Sequence, residues 1–278
     1  MSSPNAKEPC VLGNLLRQWR AARRTSQLAL SLDTGVSQRH ISFIESGRSV
    51  PGRDTLMLLA EVLDVPLRDR NALLLAAGYA PMYSEAAWDS AEMGSVHRAL
   101  ARMLRQHDPY PAMVMDRHWN VLTTNDSAPR FFNGFVDMAA RKGTRNILHL
   151  MFDPAGMRPF IVGWERVAQS LLQRVAREAV GGVMDDGARA LLHALLAYPD
   201  VAPAWQTAGD DGAGDSLPVI PLAFMKDGVV LHYFSMVTTV GTPQTIAAQE
   251  LRVECLFPAD EATERWHERW SGAQAHAR

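Results

Sequence analysis

In this 278-residue chain, the side chains with the most specific chemistry lie near the start. Gln38, Arg39 and His40 directly follow Ser37, and Ser42 and Phe43 come one turn later. A serine ahead of such a run can cap a helix, its hydroxyl accepting a hydrogen bond from an unpaired backbone N–H. Long polar side chains then occupy the first turn. Gln and Arg there present paired hydrogen-bonding groups that fit adenine and guanine edges, each good pair worth about 1–3 kcal/mol of discrimination. Unpaired N–H groups at a helix start also suit phosphate oxygens. Phe43 is placed either to touch a thymine methyl or to pack on the preceding helix. His40 has two readings of equal weight, a phosphate contact or a solvated side chain.

These residues need a scaffold, and the neighbouring sequence supplies one. Leu12, Leu15, Leu16 and Trp19 recur at i, i+3, i+4 and i+7 and share one face of a helix running to about Arg24. Ser26 caps a second helix that opens on Gln27 and turns Leu30 and Thr34 inward. Gly35 then supplies the left-handed residue that ends it, Val36 plugs the turn, and Ser37 starts the third helix, anchored by Ile41 and Ile44. Helix, glycine turn and Ser-capped helix make a helix-turn-helix. Two further helices follow, one carrying Leu56, Leu59, Ala60 and Leu63, the other Leu67, Leu74 and Leu75 up to Gly78. Residues 1–53 hold eight Lys and Arg against three Asp and Glu, +5 in a chain of net charge −2, which leaves −7 for the remainder. Such an asymmetry suits a protein that meets a polyanion with one part only. Arg23 and Arg24 are candidate phosphate contacts.

Catalytic and metal chemistry finds little support. The nine histidines never pair as H-x-x-x-H, and no C-x-x-C, G-x-S-x-G, P-loop or G-x-G-x-x-G occurs. VGGVMDDG lacks the Lys-Ser/Thr of a phosphate cradle, and Glu165 and Glu178 read as solvated helix faces. No catalytic residue, metal site or cofactor is therefore expected. Two cysteines, Cys10 and Cys255, exclude a disulfide framework and fit a reducing cytoplasm. With no apolar leader and no membrane-length apolar run, the expectation is a cytoplasmic protein, at the nucleoid when bound to DNA.

Beyond the first domain, placed at residues 1–80, a helix over about Ser90–Gln106 with Val96, Leu100, Met103 and Leu104 inward forms a connector, 81–110. Residues 111–278 change period. AMVMD, a turn at RHWN and VLTTN read as a hairpin, followed by a helix near Asp126 bearing Ala128, Phe131 and Phe132. RNILHLMF, RPFIVGWERVAQSLLQRVARE and ARALLHALLAY read as helices, and QTAGDDGAGDS as a loop. Three strands come next, LPVIPLAFM, VVLHYFSMVTTV and QELRVECLF, the first two joined by a hairpin at Lys226-Asp227-Gly228, and a helix capped near Asp260 follows. The order predicts an all-α helix-turn-helix domain followed by an α+β, PAS-like domain with a mainly antiparallel sheet and helices gathered on one side.

Two resemblances attach to these residues. SQLALSLDTGVSQRHISFIESGRSVPGRDTLMLLAEVLDV resembles the Xre/Cro-repressor class of helix-turn-helix domains. That likeness implies DNA-facing roles for Gln27, Gln38 and Arg39. Leu28 and Leu32 depart from it in being apolar on an outer face, either to pack on another subunit or domain or as ordinary surface leucines. RNILHLMFDP, RPFIVGWERVAQSLLQRVARE, HALLAYPDV and FSMVTTVGTPQTIAAQELRVECLFPADEAT resemble the MmyB-type ligand-binding domain, over roughly Pro111 to Trp266. This second likeness implies a PAS-like pocket for a small, mainly apolar molecule, with fatty-acid-like ligands in view.

Trp119, Phe131, Phe152, Phe160, Trp164, Phe224 and Tyr233 are the candidate lining residues, although inward aromatics are core residues more often than pocket walls. Together these features describe a one-component transcription regulator: a homodimer on a palindromic double-stranded DNA operator, sensing a small apolar ligand. The alternative is a ligand-independent dimer whose C-terminal domain serves only assembly or partner binding. Either way dimerisation is expected, because one recognition helix covers too few base pairs.

Overall fold

The computed structural model describes residues 11–85, 87–181, 186–206 and 222–276. Cys10, all of QTAGDDGAGDS after Gln206, the LPVIP start of the third predicted strand, and residues 182–185 of VGGVMDDG lie outside them. The chain divides into two units. One is helical and contains the chain up to Glu85 together with later segments, among them Gln244–Gln249. The other is α+β and takes in most of the remainder.

In the helical unit, α1 (Val11–Ala22), α2 (Gln27–Thr34), α3 (Gln38–Glu45), α4 (Arg53–Val62) and α5 (Leu67–Ala76) enclose one apolar core. Leu16, Leu30, Ile41, Ile44, Leu56 and Leu59 are wholly buried there, each side chain contributing about 1.5–3 kcal/mol by leaving water. α1 stops at Ala22, two residues earlier than its periodicity suggests, because Arg24 turns left-handed at φ 53°. Gly13 lies so close to the end of α3 that a Cβ there would fall on the Glu45 carbonyl oxygen. Residues 244–249 reach this unit through Gln249, whose side-chain oxygen accepts from the Leu67 N–H at 2.7 Å. Thr245 pairs with Ser84 beside it. The Leu67 amide opens a helix and has no partner within it, which is why an outside acceptor is useful.

The α+β unit runs α6 (Gly94–Gln106), β1 (Ala112–Met115), β2 (Val121–Thr124), α7 (Ser127–Asn133), α8 (Ile147–Phe152), α9 (Trp164–Gly181), α10 (Asp186–Leu196), β3 (Leu222–Lys226), β4 (Val229–Thr238), α11 (Ile246–Glu250), β5 (Arg252–Pro258) and α12 (Glu261–His276). α11 belongs to it only through Glu250, and α9 only as far as Glu178. Its five described strands form one antiparallel sheet of order β2-β1-β5-β4-β3, in keeping with the expected α+β class. The β3–β4 loop is Asp227-Gly228, both at positive φ (49° and 79°), the two-residue turn that sheet twist favours.

Two sequence expectations change here. Helices do not gather on one side: four consecutive residues of β1, and Val253 to Leu256 of β5, are all buried. Alternate residues point to opposite faces, so both faces are covered, α6 packing on β1 with Leu100 and Leu104 buried and Met103 exposed. The long helix starts at Trp164 rather than upstream, because Gly163 is left-handed (φ 66°). Ile161 instead bridges β3 opposite Phe224, and the Val162 N–H in the turn that follows donates to the Ala223 carbonyl.

α12 is fastened to the sheet by a buried His267. Its Nε2 donates to the Pro109 carbonyl at 2.8 Å, and its Nδ1 accepts from the Tyr233 hydroxyl at 2.7 Å. A carbonyl can only accept, so Nε2 carries the ring proton; burial disfavours a second proton on Nδ1, which leaves the ring neutral and Nδ1 accepting. Burial lowers the His267 pKa, and burial also lowers that of His149. Both groups therefore take up protons on unfolding. Their contribution to stability is complete above the unfolded histidine value of about 6.5 and is lost as pH falls through the lowered native values. Urea midpoints measured from about pH 7.5 down to about 5.5 should stay level and then drop. A midpoint that rises on acidification would refute the neutral assignment.

Candidate nucleic-acid interface and ligand cavity

Two Ser caps build the exposed end of the helix-turn-helix. The Ser26 hydroxyl accepts from the Ala29 N–H at 3.0 Å, and the Ser37 hydroxyl from the His40 N–H at 3.2 Å. Between them Gly35 takes φ 71° and its N–H closes on the Ser31 carbonyl. Gln38 and Arg39 are exposed in the first turn of α3, with His40, Ser42 and Phe43 half-buried behind them. The Arg39 guanidinium stands 5.3 Å from the centre of the Phe43 ring, and that of Arg48 stands 5.6 Å from it. Phe43 thus acts as a platform that limits the motion of two cations. Arg48 escaped sequence reasoning, since only the fold returns it to Phe43.

The other candidates lie differently. Gln27 opens α2, but its side-chain nitrogen donates to Glu45 Oε2 at 2.7 Å. Arg20 grips the same carboxylate with two bonds, 2.7 and 3.0 Å, while Arg17 bonds the Glu45 backbone carbonyl at 2.8 Å. Glu45 therefore ties α1 and α2 to the end of α3. Burial pushes its carboxyl up, but the bonds from Arg20 and Gln27 and the charges of Arg20 and Arg17 outweigh this and hold it below the usual range. Arg23 bonds the Leu63 and Asp64 carbonyls at 2.9 and 2.7 Å and leans on Trp19. Its guanidinium fastens α1 to the turn after α4, and a phosphate role would have to share it. Arg24 projects from the end of α1, exposed.

In the α+β unit a cavity of about 40 Å³ lies against the central strand, lined by Met113, Trp119, Phe132, Met151, Leu171, Phe224 and Leu256 among others. The turn 116–120 sets Trp119 there: Asp116 accepts from the His118 and Asn120 N–H groups, and Trp119 is left-handed at φ 66°. Of the seven aromatic candidates, Trp119 and Phe224 line this cavity; Phe131, Phe152, Phe160, Trp164 and Tyr233 do not. Phe131, Phe152 and Tyr233 are buried in the adjoining core, Phe131 against Phe224 and Tyr233 and Phe152 against Trp164, while Phe160 is half-buried against Phe135. Their rings prefer edge-to-face partners, which draws them together and away from open space.

The wall also holds a residue the sequence reading did not single out. Glu254, on the central strand opposite Met113 and Val237, is 8% exposed and lines the cavity among apolar side chains. Burial raises its pKa, opposed by a hydrogen bond with Ser235 and by the charges of Arg174 and Arg252. Those guanidiniums stand 4.4 and 5.6 Å from the centre of the Trp119 ring. Strand alternation hid Glu254, because a charged residue in a strand reads as facing solvent. Among the described residues no cluster of His, Cys, Asp and Glu could hold a metal ion, and no helix is long and apolar enough to cross a membrane.

Residues 96–269 match the family model of the MmyB-like transcription regulator ligand binding domain, and residues 16–69 match a helix-turn-helix family model. The first match covers more than half of the chain, so the chain belongs to the MmyB-like regulator family. It is a helix-turn-helix transcription regulator with a ligand-binding domain, and neither family is one of enzymes. No curated protein matches it. Among solved structures it is similar, at 12% identity and a TM-score of 0.27, to one described as "Structure of an RNA-binding Light-Oxygen-Voltage Receptor", covering 96% of this chain and 63% of that one. That likeness is too distant to bear on fold or function.

Proposed function

We propose that this protein is a one-component sensor: its C-terminal domain binds a small apolar, fatty-acid-like molecule, and binding changes the affinity of the helix-turn-helix for a palindromic operator. The protein acts as a cytoplasmic homodimer, with Gln38 and Arg39 reading base edges and with Ser37, His40, Ser42, Phe43, Gln27 and Arg24 completing the DNA-facing surface. The observation that carries the reading is an apolar cavity against the central strand of a chain that also holds a DNA-binding unit. Its volume supports sensing rather than permanent occupancy. About 40 Å³ is far below the roughly 300–1,000 Å³ of sites that enclose a ligand, so binding has to widen the wall. Met113, Met151 and Leu171 line it, and unbranched methionines adapt readily. A protein with a closed and an open form is what a ligand can bias.

The same tightness favours a second reading, in which the domain serves only assembly or partner binding. A thermal-shift panel of fatty acids, followed by operator titrations with and without the best binder, separates the two. A ligand that raises the melting temperature and changes operator affinity supports the sensor; no shift across the panel leaves the assembly module.

Base reading has its own test. Gln38→Ala and Arg39→Ala should each weaken operator binding by about 1–3 kcal/mol and relax specificity at one position per half-site. Arg24→Ala should weaken operator and random DNA alike and flatten the salt dependence. Equal losses on both DNAs for Arg39→Ala would remove it from base reading.

A further inference from the structure

We propose that Arg117 and Glu250 are positioning residues for DNA binding. Their ion pair ties the turn that carries the cavity residue Trp119 to the last residue of α11, whose preceding residues are bonded into the helical unit. Displacing the turn then shifts a segment on which the start of α5 depends. This rests on the sensor reading above and names the part that carries the signal.

Each step along this path is a local contact. Trp119 lines the cavity, and Asp116 holds the turn around it by accepting from the His118 and Asn120 N–H groups at 2.8 and 2.9 Å. Arg117 lies in the same turn. Its guanidinium donates to Glu250 Oε1 at 2.7 Å, and each of the two side chains is only 18% exposed. Arg117 and Glu250 both belong to the α+β unit. One peptide bond earlier, Gln249 accepts from the Leu67 N–H within the helical unit. Thr245 pairs with Ser84 there, and the Ile246 N–H donates to the Ser84 carbonyl at 3.1 Å. The chain just before Ser84 is held to α5 by the buried Asn71, which accepts from the Met82 and Tyr83 N–H groups and donates to the Tyr83 carbonyl.

Two physical features make this path stiff. A mostly buried ion pair is costlier to separate than a surface one, because the parted charges stay poorly solvated. The turn and Glu250 therefore move together. α11 has only five residues, and the Gln249 N–H donates to the Thr245 carbonyl at 3.1 Å, so a pull on Glu250 reaches the whole helical turn. At the far end stands the Leu67 amide, which has no partner inside its own helix. Weakening its bond to Gln249 loosens the first turn of α5, which packs on α1 and α4. Ligand entry has to widen the cavity, and Trp119 is part of the wall that yields.

The test follows backbone hydrogen exchange at the start of α5 in the full-length protein, beside operator titrations. Gln249→Ala sets the scale: the Leu67 amide should exchange about two- to tenfold faster, the range one hydrogen bond supports. Glu250→Gln and Arg117→Met should raise exchange at the same amide and weaken operator binding. Arg117→Glu combined with Glu250→Arg restores the attraction with its charges exchanged and should recover much of the protection. Melting curves check the fold of each variant, and the wild type supplies a further arm that needs none of them. Decanoic acid at saturation should change exchange at the start of α5, and Glu250→Gln should shrink that response while the acid still binds. A purely structural ion pair would raise exchange around Arg117 and β5 and leave α5 as in the wild type. That pattern, an exchanged pair no better than the single variants, or acid binding with no response at α5 overturns the proposal and leaves the sensor reading in place. If the acid does not bind, the sensor reading is what fails, and the variants alone decide the tie between Glu250 and α5.

Discussion

Glu45→Ala should lower the stability of the helical unit by about 3 kcal/mol, at the low end for breaking a buried ion pair because Arg20 keeps some access to solvent. The substitution removes the acceptor for two Arg20 bonds and one Gln27 bond at once. The end of α3, the end of α1 and the start of α2 lose their common anchor, and Arg20 is left half-enclosed without its partner. Operator binding should fall with stability, although Glu45 itself is buried. Denaturant unfolding followed beside operator titration checks this, with Arg39→Ala as the contrasting case, a loss of binding at unchanged stability. Because the Glu45 carboxyl is held below its usual range, its contribution is complete above the unfolded glutamate value of about 4.3 and is lost as pH falls through the native one. A stability unmoved by Glu45→Ala would show that the three helices hold together by apolar packing alone.

The second large effect is expected at Phe131. Its ring is wholly buried and meets Phe132, Phe135, Phe224, Tyr233 and Trp270 at centroid distances of 5.2–6.2 Å. Phe131→Ala removes the centre of this cluster and should cost about 3–5 kcal/mol, the usual range for an aromatic ring lost from a core. The decisive readout is the comparison with Met151→Ala, which trims the cavity wall. Met151→Ala should enlarge the space open to an apolar ligand and change ligand affinity more than Phe131→Ala does. The reverse order would return Phe131 to the ligand site.

These cases show what the sequence carries openly. The caps at Ser26 and Ser37, the left-handed Gly35 and the Asp227-Gly228 turn are local devices whose physics fits within a few residues, and the elements around them form where the pattern places them. The β1–β2 and β3–β4 hairpins follow from the same short-range signals, whereas the pairing of β1 with β5 that joins the halves of the sheet does not. Other features depend on partners far along the chain. Glu45 looks like an exposed charge on α3 until α1 arrives with Arg17 and Arg20. Arg23 looks ready for a phosphate until the turn after α4 offers two carbonyls. Aromatic residues are easy to count as pocket walls, yet Phe131, Phe152, Trp164 and Tyr233 go into the core and Phe160 packs on Phe135, which leaves Trp119, Phe132 and Phe224 beside methionines, leucines, an isoleucine and one glutamate around the cavity.

The bond from Gln249 to the Leu67 amide has a consequence for how this chain can be divided. A fragment ending at Glu85 would contain every helix from α1 to α5, yet it would lack the acceptor that satisfies the first amide of α5 and the strand-like partner of Ser84. The helical unit is thus completed by residues encoded between β4 and β5, and the next residue, Glu250, already belongs to the other unit. Folding of the DNA-binding part consequently draws on a segment 182 residues downstream of the amide it serves. A protease cut or a frameshift far downstream of the recognition helix would be felt there as a missing piece of its own structure.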